Sequence, residues 1–278
     1  MQNKNARVLV YDIETAAAIG LFFGKTYDAN IAMTVQHEYV MGFAWQWLGE
    51  SKVNTCYIWD FYGYNKPIKP KDMFLSSVLE AWDERIQAGS KEVVRKWCEL
   101  VKEAQIIVGH NSDQFDYRQM NGRVMQHKLP PIPKPLQVDT KKIAKRVGYY
   151  QSNKLDDLSK RFNHGGKLQH DGIEMWWKCM NGDKKAQRHM VKYNKIDVIK
   201  TRELYEDFKP YDERHPNMAN LEDRPDACRL GCEGFGFVSA GWKYTRTGKY
   251  RRWQCKNDEC RAYNAGRKME KGEKPEMV

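Results

Sequence analysis

Val8-Leu9-Val10-Tyr11 is apolar with no polar face, the pattern of a strand covered on both sides, and Arg7 to Ile13 reads as that strand. Glu38 to Leu48 and Val53 to Trp59 read as two more strands, paired as a hairpin through Gly49-Glu50-Ser51. Apolar residues at helical spacing follow over Asp72 to Gln87 and Lys91 to Glu103, and Gly89-Ser90 predicts a break between them. Gln105 to Gly109 is a short buried strand. Ser112 then stands where the N-cap of a helix to about Gln126 is expected.

Pro130, Pro131, Pro133 and Pro135 make a stiff connector, followed by a short basic helix from Thr140 to Arg146. Leu155 to Phe162 reads as another helix, ended by Gly165-Gly166, and Lys184 to Phe208 is the longest helical stretch. Ala186, Met190, Tyr193, Asp197, Thr201, Leu204 and Phe208 fall on one face of it. Strands alternating with crossover helices predict an α/β layer fold for residues 1–212, a linker over 213–225, a small cysteine-bearing domain over 226–264 and a charged tail over 265–278.

Composition narrows the class. With 278 residues, 41% hydrophobic and 30% charged, the chain can bury one sizeable core plus a small appendage. No run of about 18 apolar residues is present, which excludes a helical membrane span. Polar residues from Met1 to Arg7 run straight into a strand and leave no room for a signal peptide. Seven cysteines, an odd count without such a signal, predict reduced thiols and a cytoplasmic setting. A net charge of +11, from 47 basic and 36 acidic residues, favours a polyanionic partner.

Three places carry acids where a core pattern does not need them. Asp12 and Glu14 end the first strand, two apart and so on one face, where a pair of close carboxylates calls for a cation. Asp197 lies on the apolar face of the long helix, one turn beyond Tyr193. Asp113 and Asp116 lie near the start of the helix after Gly109, in His110-Asn111-Ser112-Asp113-Gln114-Phe115-Asp116. Singly, each is compatible with an ordinary strand end, core edge or helix start.

In order, these segments resemble the three motifs of the DEDD exonuclease superfamily: Asp12-Ile13-Glu14, then Asn111 with Phe115-Asp116, then Tyr193 to Asp197. The resemblance spans residues 5 to 210, is closest to the proofreading domain of family B DNA polymerases and its stand-alone relatives, phage-encoded ones included, and extends to Lys154-Leu155-Asp156-Asp157-Leu158-Ser159. Lys192 stands where the histidine branch carries its histidine, so the tyrosine branch is indicated. The resemblance implies an RNase H-like mixed sheet flanked by helices. It also implies two Mg²⁺ or Mn²⁺ ions held by Asp12, Glu14, Asp116 and Asp197, hard oxygen donors all. Tyr193 would orient the attacking water, and Thr15, Asn111 and Phe115 would touch the nucleic acid. The implied substrate is a single strand with a free 3′ end, DNA ahead of RNA, and the product a nucleoside 5′-monophosphate. Phe22-Phe23 is a further candidate for base stacking. A nucleic-acid-binding module of the same fold, or an RNase H-like endonuclease of recombination, is the alternative.

Cys228-x3-Cys232 and Cys255-x4-Cys260, 22 residues apart, form a four-thiolate pattern for one structural Zn²⁺, with knuckles longer than the common two-residue spacing. Phe237 to Tyr244 and Lys249 to Cys255 read as a hairpin between the pairs. Its basic residues Lys243, Arg246, Arg251 and Arg252 alternate with aromatics and are candidates for nucleic-acid binding. A replication or recombination protein is the competing partner for this ribbon.

Overall fold

The computed structural model describes residues 6–21, 33–61, 76–166, 168–224, 226–232 and 236–268; Phe22-Phe23 and the start of the helix expected from Asp72 lie outside them. The chain forms two compact units, one of residues 7–204 and one of residues 205–278 together with residues 1–6.

The larger unit is built on a five-stranded mixed sheet. Strand β1 (Val8–Thr15) is central, pairing antiparallel with β4 (Val40–Trp47) and parallel with β6 (Ile106–Gly109). Strands β5 (Asn54–Tyr57) and β7 (Leu136–Asp139) close the edges, giving the order β5-β4-β1-β6-β7. A small hairpin of β2 (Ile19–Leu21) and β3 (Met33–Gln36) stands apart. Val8, Leu9, Val10 and Tyr11 are all buried, so β1 is covered on both faces as its uniform apolarity predicts. Helices α1 (Ser76–Glu103), α2 (Asp116–Gln126), α3 (Thr140–Val147), α4 (Leu155–Arg161), α5 (Ile173–Met180) and α6 (Lys184–Phe208) flank the sheet. This is a mixed α/β, RNase H-like architecture. No described helix is long and apolar enough to cross a membrane.

Two local expectations are corrected. Gly89-Ser90 does not break α1, which runs through to Glu103. A Cβ on Gly89 would lie 3.1 Å from the Cβ and 3.3 Å from the carbonyl oxygen of Ile58, so this glycine admits a neighbouring element rather than ending a helix. Ser90 is buried, with its hydroxyl 3.0 Å from His127 Nε2. Nor does Ser112 cap α2. The helix starts at Asp116 with Phe115 at the cap position and no side-chain cap bond, because Asn111 first takes a positive φ of 68° and the chain makes a turn from Asn111 to Phe115.

The long helix follows its sequence stripe. Ala186, Met190, Tyr193, Asp197, Thr201, Leu204 and Phe208 are all buried, and Gln187, Asn194, Val198 and Tyr205 widen the buried face. Helix α5, not apparent from the sequence, packs Met175, Cys179 and Met180 into the core that also holds Met190 and Tyr193.

In the smaller unit, β8 (Phe237–Thr245), β9 (Gly248–Cys255) and β10 (Tyr263–Lys268) form an antiparallel sheet in the order β10-β9-β8. Its third strand takes in residues that the charge pattern assigns to the tail, pairing Ala265 with Arg252 and Lys268 with Tyr250. Helical turn α7 (Met218–Leu221) sits in the segment expected as linker, capped by the Asn217 side chain, and Met218 N–H donates to the Arg229 carbonyl at 2.8 Å. Arg229 ties the unit together: its guanidinium donates to the carbonyls of Tyr263, Asp212 and Pro210 at 2.8, 3.0 and 3.2 Å. His215 is buried with Nε2 2.9 Å from the Tyr205 hydroxyl and Nδ1 2.8 Å from the Pro216 carbonyl. Burial pulls its pKa down to about 4. The neutral ring thus donates from Nδ1 and accepts at Nε2.

Candidate active site and metal centre

Asp12 and Glu14 sit on β1 as expected, Glu14 buried and Asp12 half-buried. Beyond Glu14 the pairing with β4 shifts register, so the carboxylates stand where the regular ladder ends and Thr15 begins a new register. Asp116, the first residue of α2, reaches this strand: its Oδ1 accepts the Ile13 backbone N–H at 3.0 Å. That bond sets a carboxylate from a helix start between the two acids of the strand. Asp116 is only 4% exposed, and burial pushes its pKa up to about 7 despite that hydrogen bond. Asp113, its rival in the sequence, turns elsewhere: its carboxylate pairs with Lys142.

Helix α6 joins the site through Asn194, which is fully buried. Its Nδ2 donates to Asp12 Oδ2 at 2.7 Å and to the Asp12 carbonyl at 3.2 Å. Its Oδ1 accepts from the Tyr57 hydroxyl at 3.0 Å. A chain Tyr57–Asn194–Asp12 therefore orients the Asp12 carboxylate. Gly42 makes room for it, because a Cβ there would lie 2.2 Å from the Tyr57 ring. Glu14 pairs with Gly42 across β1 and β4, and Gly42 with Tyr57 across β4 and β5, so the phenol crosses the sheet toward the acids. Burial first, then the charges of Glu14 and Asp12, raise the Tyr57 pKa and keep it a donor.

Tyr193 and Asp197 lie one turn apart on the same buried face of α6, at 8% and 3% exposure. The Tyr193 ring is held edge-on by His170 and Trp176, with centroids 5.1 and 6.2 Å away. Those two residues belong to the α5 region that sequence patterning did not reveal.

Asn111 donates its backbone N–H to Asp139 Oδ1 at 3.0 Å and accepts from Lys141 Nζ on its side chain at 3.2 Å. Asp139 also caps α3 through the Lys142 N–H. Burial and the facing Asp113 carboxyl push the Asp139 pKa up to about 6. Of the basic cluster on α3, Lys141 bonds the Asn111 side chain, Lys142 pairs with Asp113, and Lys145 is exposed. Phe115 is 42% exposed and borders an open groove of about 300 Å³ lined by Glu38, Arg118, Gln119 and Arg123.

Asn194, Tyr57 and Asp139 were not singled out by sequence reasoning. Asn194 had one usable signal, a polar side chain adjoining Tyr193 inside the buried stripe of α6. Tyr57 and Asp139 had none, since their roles depend on partners distant in the chain.

The four cysteines of the smaller unit converge, with ligand atoms all within 4.8 Å of one another. Cys228 Sγ lies 3.8 Å from Cys260 Sγ. Thiolates at about 2.3 Å from a tetrahedral Zn²⁺ stand about 3.8 Å from each other, whereas a disulfide needs about 2.05 Å. The cluster therefore fits a zinc ion. The long first knuckle closes in a turn, with the Gly231 N–H donating to the Cys228 carbonyl at 2.7 Å and Gly231 taking a φ of 78° where the chain leads on to Cys232. Neighbouring Cys232 and Cys260 thiols, with Asn264, hold the Cys228 sulfur well below the usual thiol range. Of the four basic candidates here, Lys243 pairs with Glu213 at 2.8 Å and Arg252 donates to the Ala240 carbonyl at 2.8 Å. Arg251 donates to Ser239 Oγ at 2.7 Å, and Arg246 is exposed at the hairpin turn.

No curated protein matches the chain. Residues 74–209 match the family model of the RNase_H superfamily; Asp116, Tyr193 and Asp197 lie inside the match, and Asp12 and Glu14 precede it. Members of that superfamily are usually nucleases and act on nucleic acid with divalent metals. Residues 74–209 are thus similar to the RNase_H superfamily domain, within a mixed α/β fold that is RNase H-like, and the smaller unit holds a four-cysteine cluster able to bind a metal.

Proposed function

We propose that the chain is a 3′→5′ exonuclease of the tyrosine-type DEDD group, acting on single-stranded nucleic acid, DNA ahead of RNA, and releasing nucleoside 5′-monophosphates. The observation that carries this reading is the bond from Ile13 N–H to Asp116 Oδ1, which sets the helix-start acid on the strand bearing Asp12 and Glu14. Asn194, on the helix that also carries Tyr193 and Asp197, bonds Asp12 of that strand and supports the same reading.

Asp12, Glu14, Asp116 and Asp197 supply only hard oxygen ligands, the donor class that Mg²⁺ and Mn²⁺ take, and three of the four are buried. On this reading they would hold two Mg²⁺ or Mn²⁺ ions. Divalent ions bound there would activate water and neutralise charge on the leaving oxygen. The protein's own part is positioning. Asn194 fixes the rotamer of Asp12, the edge-on contacts of His170 and Trp176 fix the ring of Tyr193, and the Tyr193 hydroxyl orients the attacking water. Exposed Phe115 and the Arg118–Arg123 groove offer a surface for the terminal nucleotides.

Digestion of linear and circular single strands, with Mg²⁺ or Mn²⁺ added or omitted, tests the reading. A 5′-labelled linear strand should shorten as a ladder, a 3′-labelled one should release mononucleotide at once, and circles should survive. Cut circles would assign an endonuclease instead, and tight binding without turnover would assign a binding module.

Asn194→Ala should lower turnover by about 10- to 100-fold and raise the Mg²⁺ concentration needed for half activity, as for other residues that orient a metal ligand. An unchanged Mg²⁺ dependence would mean that Asn194 only fills space.

A further inference from the structure

We infer that one face of the C-terminal sheet, formed by Trp242, Tyr244, Lys249, Arg251 and Trp253, is a binding surface for single-stranded nucleic acid. This goes beyond the proposed cleavage chemistry and does not depend on it.

The register settles which side chains share the face. Trp242 pairs with Arg251, Tyr244 with Lys249, and Ser239 with Trp253, and directly paired residues point to the same side. Across the two strands, the rings of β8 therefore face the cations of β9. Lys249 Nζ lies 4.1 Å from the Trp242 ring centre and 5.5 Å from that of Tyr244. The Arg251 guanidinium lies 4.9 Å from Trp242 and 5.5 Å from Trp253. Lys249 is exposed and Tyr244 is 70% exposed, so the surface is open to a partner.

The opposite face is different. Lys243 there is neutralised by Glu213, and Arg252 is spent on the Ala240 carbonyl and lies 4.9 Å from the ring centre of Tyr263. Among the described residues, no carboxylate pairs with Lys249 or Arg251, and the sequence holds no acid between Trp242 and Arg252. The four basic candidates of the hairpin are thereby sorted: Arg251, joined by Lys249, belongs to the open face, whereas Lys243 and Arg252 are structural.

Charge alone would fit any polyanion. Rings interleaved with uncompensated cations favour a strand whose bases are free to stack while its phosphates meet the cations. Duplex DNA hides its bases and would gain only the phosphate contacts.

The test uses the full chain with zinc, in an Asp197→Ala background that prevents cleavage, and fluorescein-labelled oligo-dT, oligo-rU and a duplex of equal length. Trp242→Ala/Tyr244→Ala is expected to weaken single-strand binding at least tenfold. Lys249→Gln/Arg251→Gln should lower the slope of log affinity against log salt by about one to two. Lys243→Gln/Arg252→Gln, on the other face, should change affinity less than twofold. Because the alanine pair could disturb the hairpin, zinc content is measured alongside, and Trp242→Phe/Tyr244→Phe should retain most of the affinity. Unchanged single-strand affinity in the alanine and glutamine pairs overturns the assignment, as does displacement by polyglutamate at matched charge, which would assign the face to an acidic protein. Failure of the wild-type chain to cleave would bear on the exonuclease reading alone.

Discussion

Asp12→Ala and Asp197→Ala should each lower Mg²⁺-dependent release of mononucleotides by at least about 10³-fold, while thermal unfolding of the protein changes little. The size follows from removing a ligand that helps place about 4 kcal/mol of transition-state charge stabilisation. Stability is spared for a separate reason. Asp197 is 3% exposed, and replacing a buried carboxylate by a small apolar group removes a desolvation cost in the metal-free protein, while Asp12 is only half-buried. Tyr193→Phe should cost less, about 10²-fold, because the ring is still held by His170 and Trp176 and only the hydroxyl is lost. The pH profile adds a sign. Asp116 takes up a proton near pH 7 when no metal is bound, and a ligand must lose that proton to bind an ion. The Mg²⁺ concentration needed for half activity should therefore rise as pH falls below about 7 and level off above it. End-labelled single strands read these outcomes; a variant at Asp12 or Asp197 with near-wild-type, metal-dependent activity would end the assignment.

Removing the metal from the cysteine cluster, or replacing Cys255 by alanine, should unfold the C-terminal sheet while residues 7–204 stay folded. The hydrophobic cluster around the thiols is small, with Leu230 and Ala262 as its other buried members and Phe237 packed against it. A unit of this size lacks the apolar burial to hold itself together, and structural zinc typically supplies about 10–16 kcal/mol at neutral pH. Hydrogen exchange should show protection lost across β8–β10 and kept in β1, β4 and β6. Metal analysis should give one zinc per chain for the wild type and far less for the Cys255 variant. Protection that survives complete metal removal would show that the thiols are structural without an ion.

Much of this was legible beforehand because its signal is periodic or local. The uninterrupted apolar run of β1 and the seven-position stripe of α6 each report burial directly, and all seven stripe residues are buried. The cysteine pairs report themselves by spacing. What stayed hidden depends on partners far along the chain. Gly89 looked like a breaker because its use, the approach of Ile58, is invisible from its neighbours. Ser112 resembled a cap because the positive φ of Asn111 has no local marker beyond asparagine itself. Asn194 was read past as one more polar residue on a long helix, since Tyr57, its hydrogen-bond partner, lies 137 positions earlier.

The bond from Asn194 to Asp12 spans 182 residues of sequence. Contacts of such separation form late, after loop-closure entropy has been met by the sheet and its helices. During synthesis, β1 emerges early with its two acids, yet α6, which carries Asn194, is made last in the larger unit. A nascent chain stalled anywhere before that helix would lack Asn194, Tyr193 and Asp197. On the proposed reading, cleavage thus waits until that helix has been made.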